Sequence, residues 1–201
     1  MKFIFLRICK SLFYYFNSVF ICVVKKNIKI GRRVVLSFDS KLEGNNLIND
    51  DCRLISTTVG EYSYVSPQSI LVECSIGRYT SIGPGCKIGL GNHPITNVST
   101  SPFIYNTELF KKRRKEDFNS VCIGNDCWIG ANVMIVGGIK IGNGVVIGAG
   151  SVITKNIPDF AVVVGVPGKI VKYRFNDTEI IRINNLRWWD LDAESARKVL
   201  L

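Results

Sequence analysis

Histidine occurs only once in this chain of 201 residues, at position 93. An imidazole titrates at about pH 6.5, so it can accept a proton from a substrate hydroxyl near neutral pH. His93 stands where an otherwise regular repeat is interrupted, and long loops inside a compact domain commonly carry function. We therefore take His93 as the candidate general base. A lone histidine also argues against zinc sites that need several histidine ligands from one chain.

The seven cysteines suit a protein interior in a reducing cytoplasm. Their odd number and the absence of a CxxC pair or a Cys/His cluster argue against a disulfide scaffold and against a zinc site. Cys74, Cys86 and Cys127 occupy one recurring position of the repeat described next. We expect them to fill small slots in the core rather than to act as nucleophiles, and we expect no metal ion.

An apolar residue recurs at every sixth position along most of the chain. The strongest series is Ile123, Ile129, Ile135, Ile141, Ile147 and Ile153. Earlier members are Ile76, Ile82 and Ile88, then Val59 and Val65, then weaker hexads at Leu42, Ile48 and Leu54. A period of six fits neither a helix nor a simple strand, but it fits a short strand plus a turn, wound three times per coil. The apolar residue is predicted to point inward, with the glycine that often follows it permitting a tight corner.

The repeat is irregular in two places. Val59 and Ile76 are 17 positions apart, one short of three hexads, which predicts one irregular turn. Ile123 follows Ile88 by 35 positions, and the intervening segment contains prolines and the basic run Lys111–Lys115 but no hexads. The interruption predicts a loop over residues 93–120 that protrudes from the solenoid.

Three regions follow: an apolar N-terminal helical segment (1–30), a β-helix domain (31–175) and a C-terminal helical cap (176–201). In the cap, Asn176 is a predicted N-cap with Glu179 three residues later, and a second helix is predicted after Asp192. The longest uncharged run near the N-terminus, 11–24, has 14 residues, whereas a spanning helix needs about 20. Two roles for this segment remain equally open: an interfacial helix on the inner membrane face, or a cover for the solenoid end.

Several stretches resemble the hexapeptide-repeat acyltransferases, and in particular the xenobiotic acetyltransferase branch. They are SIGPGCKIGLGNHP, STSPF, the hexads from Ile123 to Ile153, VVGVPGKIVKYRF and IIRINNLRWWDLD. This branch includes chloramphenicol and streptogramin acetylating enzymes and O-acetyltransferases of surface polysaccharides. The resemblance covers roughly residues 59–192. It implies an all-β solenoid, a left-handed parallel β-helix with a protruding loop and C-terminal α-helices, working as a homotrimer with active sites between subunits.

The resemblance also implies acetyl-CoA as the donor and assigns residues to it. Ala131 and Ala149, 18 residues or one coil apart, match positions whose backbone binds the pantetheine arm. Thr154 and Lys155 match the next contact along the donor. The remaining matches are Lys169 and Lys172 beside the nucleotide phosphates, with Asn92 and Trp128 at the acceptor.

The leading functional hypothesis is a cytoplasmic O-acetyltransferase that acts on a sugar hydroxyl of a surface polysaccharide or glycolipid, by direct transfer with His93 as base. The net charge of +10 and the apolar, basic N-terminus favour an anionic or membrane-proximal partner. Antibiotic acetylation is the alternative within the same chemistry, and a non-enzymatic β-helix scaffold is the alternative from another class. A γ-carbonic anhydrase type of zinc enzyme would need more histidines. The run Lys111–Lys115 contains no base-stacking aromatics, so we expect no nucleic-acid binding.

Overall fold

The computed structural model describes residues 27–106 and 117–201. Most of the predicted N-terminal segment and the run Lys111–Lys115 lie outside the described residues. Over the described ranges, the chain winds into a parallel β-solenoid of about seven turns, followed by helices. This architecture confirms the predicted fold class and is consistent with the left-handed winding that the resemblance implies.

Three sheets run along the solenoid, and each of the first five coils contributes one short strand to each of them. The first sheet contains β1 (Lys29–Ile30), β4 (Leu47–Ile48), β7 (Tyr64–Val65), β10 (Ser81–Ile82), β13 (Trp128–Ile129), β16 (Val146–Ile147), β18 (Ala161–Val164) and β19 (Lys169–Tyr173). The second contains β2 (Val35–Leu36), β5 (Arg53–Ile55), β8 (Ile70–Val72), β11 (Lys87–Leu90), β14 (Met134–Val136) and β17 (Val152–Ile153). The third contains β3 (Lys41–Leu42), β6 (Thr58–Val59), β9 (Cys74–Ile76), β12 (Val121–Ile123) and β15 (Lys140–Ile141). Pairing is parallel except between β18 and β19, which form an antiparallel hairpin.

The helices are α1 (Pro102–Tyr105) in the protruding loop, then α2 (Asp177–Leu186), a 3-10 helix (Trp188–Asp190) and α3 (Ala193–Leu200) after the solenoid. The predicted caps are confirmed: the Asn176 side chain accepts a hydrogen bond from the Glu179 amide at 2.9 Å, and Asp192 caps α3. None of the helices in residues 27–106 and 117–201 has the length and apolar character needed to cross a bilayer.

The predicted inward positions form the core. Every apolar residue of the hexad series from Leu42 to Ile153 is at most 4% exposed. The fifth position of the hexads is a second inward position, and its occupants are also buried: Thr80, Cys86, Cys127, Val133, Ile139, Val145 and Ser151. Strands in neighbouring coils pair in register, as Ile129 does with Ile147, so side chains of one kind stack along the solenoid axis.

Where a glycine follows an inward isoleucine, other than at Gly89 (φ 69°), it serves the close approach of coils, which corrects our expectation that it shapes the corner. A Cβ atom added at Gly83 would lie 2.7 Å from the carbonyl carbon of Gly130 in the next coil. The residue in the left-handed region comes two positions after that glycine, as at Gly85 (φ 71°) and Asp126 (φ 54°). A side chain at the first glycine would therefore force adjacent coils apart.

The irregular turn lies at the corner between the second and third sheets. Leu71 and Ile76 are five residues apart there, and Glu73 turns the chain with a φ of 53°. Leu54 and Val59 show the same short spacing one coil earlier. In the following coil the protruding loop leaves from this corner, between the end of β11 and the start of β12.

The C-terminal segment packs along the corner between the third and first sheets. Phe160 of the last coil forms a buried cluster with Ile183 and Trp189. Further along, the Tyr79 hydroxyl donates a hydrogen bond to the Leu191 carbonyl at 2.8 Å. These contacts join the segment to coils at both ends of its path, so it lies along the side of the solenoid.

Candidate active site

The loop that carries His93 is anchored at its stem. The Asn92 amide donates a hydrogen bond to the Asp117 carbonyl at 2.7 Å, which closes the base of the loop. The ring of Phe118 packs so tightly on Gly91 that a Cβ there would lie 2.7 Å from it. The stem therefore holds the start of the loop, including Asn92, in a fixed direction as it leaves the solenoid.

The stem is also tied to the next coil. Gly138, at the same corner, donates its amide to the Asn119 carbonyl at 3.2 Å. A Cβ added at the neighbouring Gly137 would lie 3.3 Å from the side-chain nitrogen Nδ2 of Asn92 and 3.0 Å from the backbone carbonyl oxygen of Asn119. The two glycines thus leave room for the loop base to settle on the solenoid, which positions His93 beside the second and third sheets.

The imidazole of His93 is exposed and is oriented by the segment that follows it. Nδ1 lies 2.9 Å from the Thr100 carbonyl oxygen. Because a carbonyl oxygen can only accept, Nδ1 carries the proton and Nε2 keeps its lone pair. The sequence named no orienting group, and the structure assigns this role to the Thr100 backbone within the STSPF stretch.

The STSPF stretch turns back toward His93 because of its local hydrogen bonds. The Ser101 amide donates to the Ser99 hydroxyl at 3.1 Å, and the short helix α1 begins at the next residue, a proline that suits a first helical position. Tyr105, at the end of α1, presents its ring to His93 with centroids 6.3 Å apart and planes at 81°. Sequence reasoning missed Tyr105, since no hexad or motif spacing marks it.

Ala131 and Ala149 lie at the corner between the first and second sheets. The Gly150 amide donates to the Ala131 carbonyl at 2.8 Å, so the two alanine turns are stacked one coil apart. Ala149 is exposed and Ala131 is half-buried. The stacking has the geometry that a ligand running along the solenoid axis requires, in agreement with the predicted spacing.

Thr154 and Lys155 are exposed immediately after β17, at the corner between the second and third sheets. The loop with His93 leaves from this same corner two coils earlier. The two alanines and the pair Thr154–Lys155 therefore lie at the two corners that bound the second sheet, one at each end of its short strands. Met134, on the outer face of β14 between these two corners, is 51% exposed.

The other predicted positions lie on the first sheet. Lys169 and Lys172 are exposed on β19, opposite Val164 and Val162 of β18. Trp128 stands on the outer face of β13 and is 60% exposed. Within one chain, Trp128 faces outward from the first sheet, whereas the loop of His93 leaves between the second and third sheets.

The buried cysteines are poor nucleophiles. Burial raises the pKa of the Cys74 and Cys127 thiols to about 12, and it also raises the pKa of Cys86. All three are at most 4% exposed, which confirms the predicted core positions. Within residues 27–106 and 117–201, no group of three or more His, Cys, Asp or Glu side chains is placed to hold a metal ion.

Comparison with known proteins identifies the family. The family described as bacterial transferase hexapeptide (six repeats) matches residues 123–155. A chloramphenicol acetyltransferase from Morganella morganii is 36% identical over 190 residues, covering 81% of this chain and 89% of that protein. The chain belongs to the hexapeptide-repeat acyltransferases. It is an acetyltransferase of the branch that its motifs predicted, and the scaffold hypothesis is dropped.

One further sequence relative and one solved structure are also similar to this hexapeptide-repeat acetyltransferase. A galactoside O-acetyltransferase from Lactococcus lactis is 34% identical over 117 residues, covering 58% of this chain and 51% of that protein. The solved structure of a point mutant of AntD, an N-acyltransferase from Bacillus cereus, has a TM-score of 0.58 at 19% identity, covering 85% of this chain and 95% of that chain. The latter likeness shows that the fold is shared.

Proposed function

We propose that this protein transfers an acetyl group from acetyl-CoA to an acceptor hydroxyl, with His93 as the general base. The observation that carries the proposal is the hydrogen bond from Nδ1 of the chain's single histidine to the Thr100 carbonyl, at 2.9 Å. It leaves the Nε2 lone pair on an exposed imidazole, where an acceptor can approach. Family membership supplies the reaction class to which this base belongs.

The chemistry is direct transfer in a ternary complex. Nε2 of His93 takes the proton of the acceptor hydroxyl as its oxygen attacks the thioester carbonyl. The resulting tetrahedral intermediate collapses, the ester forms, and the thiolate of CoA leaves and takes the proton from the imidazolium. The Thr100 carbonyl stabilises the imidazolium through Nδ1–H. The high pKa of the Cys74 and Cys127 thiols argues against an acetyl-cysteine intermediate at these two positions.

Acetyl-CoA is proposed to lie along the second sheet beside the C-terminal coils. The stacked turns of Ala131 and Ala149 offer backbone groups to the pantetheine arm at the corner between the first and second sheets. Thr154 and Lys155 are exposed at the corner between the second and third sheets, the corner from which the loop of His93 leaves two coils earlier. Lys169 and Lys172 of β19 would neutralise the nucleotide phosphates.

We propose a homotrimer in which the site forms between copies. Trp128 and His93 lie on different sides of one solenoid, so a wall for the acceptor made by Trp128 requires the first sheet of a neighbouring copy. Asn92, at the loop stem, would contact the acceptor beside the base. The proposed location is cytoplasmic, with the N-terminal segment reaching the inner membrane face.

The proposed acceptor is a sugar hydroxyl, as in surface polysaccharide or glycolipid assembly. The 34% identical galactoside O-acetyltransferase supports a sugar acceptor, and the basic, apolar N-terminus supports a membrane-proximal one. Chloramphenicol is a second candidate because the 36% identical chloramphenicol acetyltransferase covers a larger share of this chain.

The test is an acceptor panel. The purified protein is incubated with acetyl-CoA and either glycans, nucleotide sugars, simple galactosides or chloramphenicol, and free thiol release is followed against a reaction without acceptor. Release with a saccharide, with the acetyl ester located by mass spectrometry, supports the sugar acceptor. Release with chloramphenicol alone assigns the second candidate. Acetylation of an amine rather than a hydroxyl would contradict the proposed O-transfer.

A further inference from the structure

The hydroxyl of Tyr105 lies 3.3 Å from Nδ1 of His93, the same atom that contacts the Thr100 carbonyl. We propose that Tyr105 is a positioning residue for the base, which accepts a hydrogen bond from Nδ1–H beside the Thr100 carbonyl and limits rotation of the ring. The inference rests on the proposed role of His93 as general base. The Thr100 contact is made by the backbone and cannot be removed by substitution, whereas the Tyr105 contact is made by a side chain that can be substituted.

The carbonyl sets the tautomer of the imidazole, and the Tyr105 hydroxyl, which can donate or accept, adapts to it. A carbonyl cannot donate, so the Nε2–H tautomer would place the Nδ1 lone pair against the carbonyl lone pairs at 2.9 Å. With the proton on Nδ1, the carbonyl and the Tyr105 hydroxyl both accept from it in a shared hydrogen bond. Each acceptor also stabilises the positive charge that the ring gains when it takes a substrate proton.

Ring packing supplies the second part of the role. The Tyr105 ring meets the imidazole edge-on, with an interplanar angle of 81°, the arrangement that aromatic pairs favour. His93 is exposed, so this contact adds to the Nδ1 hydrogen bond with Thr100 in restricting rotation of the ring. A base must be held within a narrow range of directions to take a proton efficiently.

The segment 100–105 is built so that both oxygens are set together. The amides of Ile104 and Tyr105 donate to the Ser101 carbonyl at 2.9 and 3.3 Å, which winds the chain into α1 directly after Thr100. The Asn106 amide closes the turn on the Pro102 carbonyl at 2.9 Å. One turn of chain thus fixes the Thr100 carbonyl and the Tyr105 hydroxyl on the same imidazole nitrogen.

The test uses the fact that the chain has a single histidine, so 15N-histidine labelling gives one pair of imidazole signals. In the wild-type protein, the neutral ring should show a protonated Nδ1 and an unprotonated Nε2. Tyr105→Phe keeps the ring and removes the hydroxyl. The variant should keep a protonated Nδ1 but show it at an altered chemical shift, and kcat should fall by about three- to tenfold with KM for acetyl-CoA unchanged.

Tyr62→Phe is the matched control, because Tyr62 stacks on Tyr79 at the corner between the third and first sheets, away from the proposed site, and should leave signals and kcat unchanged. Tyr105→Met, which also removes the ring, should shift the signals at least as far, and thermal melting should show that both variants keep the solenoid. Wild-type signals together with wild-type kcat in both Tyr105 variants would overturn the inference. If His93→Ala kept its turnover, the proposed function would fail, while the nitrogen signals would still report whether Tyr105 contacts Nδ1.

Discussion

Single residues of the second inward position share one interaction, although their chemical types differ. Thr80 donates its hydroxyl to the Gly124 carbonyl of the next coil at 2.9 Å. Cys127 makes the equivalent contact through its thiol, with Sγ 3.0 Å from the Gly142 carbonyl oxygen. The hexad spacing predicted that these positions are inward and small. It gave no sign of the hydrogen bond, which depends on the distance between stacked coils.

Replacing Cys74, Cys86 and Cys127 singly by serine should leave turnover largely intact. A serine hydroxyl can make the same contact to the next coil, as Ser69 already does to the Gly83 carbonyl at 3.1 Å. Turnover and mass spectrometry of protein quenched during the reaction check this. A labelled acetyl-cysteine at any of these positions would overturn direct transfer.

At the scale of elements, local signals predicted the structure where the physical cause is local. Asn176 predicted the start of α2 because an N-cap acts within a few residues of the helix start. The interruption of the repeat between Ile88 and Ile123 predicted the loop, because the six-residue period is absent from this segment. The contact between Tyr105 and His93 left no such signal, since it depends on how the loop folds back over 12 residues.

Local sequence patterns also could not predict how the C-terminal segment packs on the solenoid. This packing has a testable consequence. Trp189 is 3% exposed against Phe160 and Ile183. Trp189→Ala should lower the free energy of unfolding by about 3–5 kcal/mol, because it removes a large buried aromatic side chain. Denaturant or thermal unfolding measures this change.

The matched control is Ile181→Ala on α2, where the side chain is 61% exposed. It should change stability by less than about 1 kcal/mol. Equal, small effects of the two substitutions would show that the segment does not pack on the last coil as described.

At the scale of the whole molecule, the period of six defined the solenoid because each coil repeats the same environment. The number of coils and the sheet to which each strand belongs follow from that period. The relation between copies does not follow from it, since Trp128 and the loop of His93 lie on different sides of one chain. The choice of acceptor depends on outward-facing side chains and on the loop, which the hexad pattern does not specify. This is why the fold was predicted more fully than the site.

The N-terminal segment gives a prediction at this scale. Deleting residues 2–24 should reduce flotation with anionic vesicles, because the deletion removes apolar surface and the charges of Lys2, Arg7 and Lys10, each worth about 1 kcal/mol near such a membrane. Acetyl-CoA binding should persist, since its proposed contacts begin at Ala131. Unchanged flotation with a broken oligomer on size-exclusion chromatography would show instead that the segment covers the solenoid end.

The most direct test of the central claim is the turnover of His93→Ala with an acceptor identified from the panel. Loss of the only histidine should lower kcat by about 10²–10⁴, the usual contribution of a positioned general base. Binding of acetyl-CoA, measured by calorimetry on the same preparation, should stay at the wild-type level because its proposed contacts lie on other coils. Near-wild-type turnover in a folded His93→Ala protein would contradict the account.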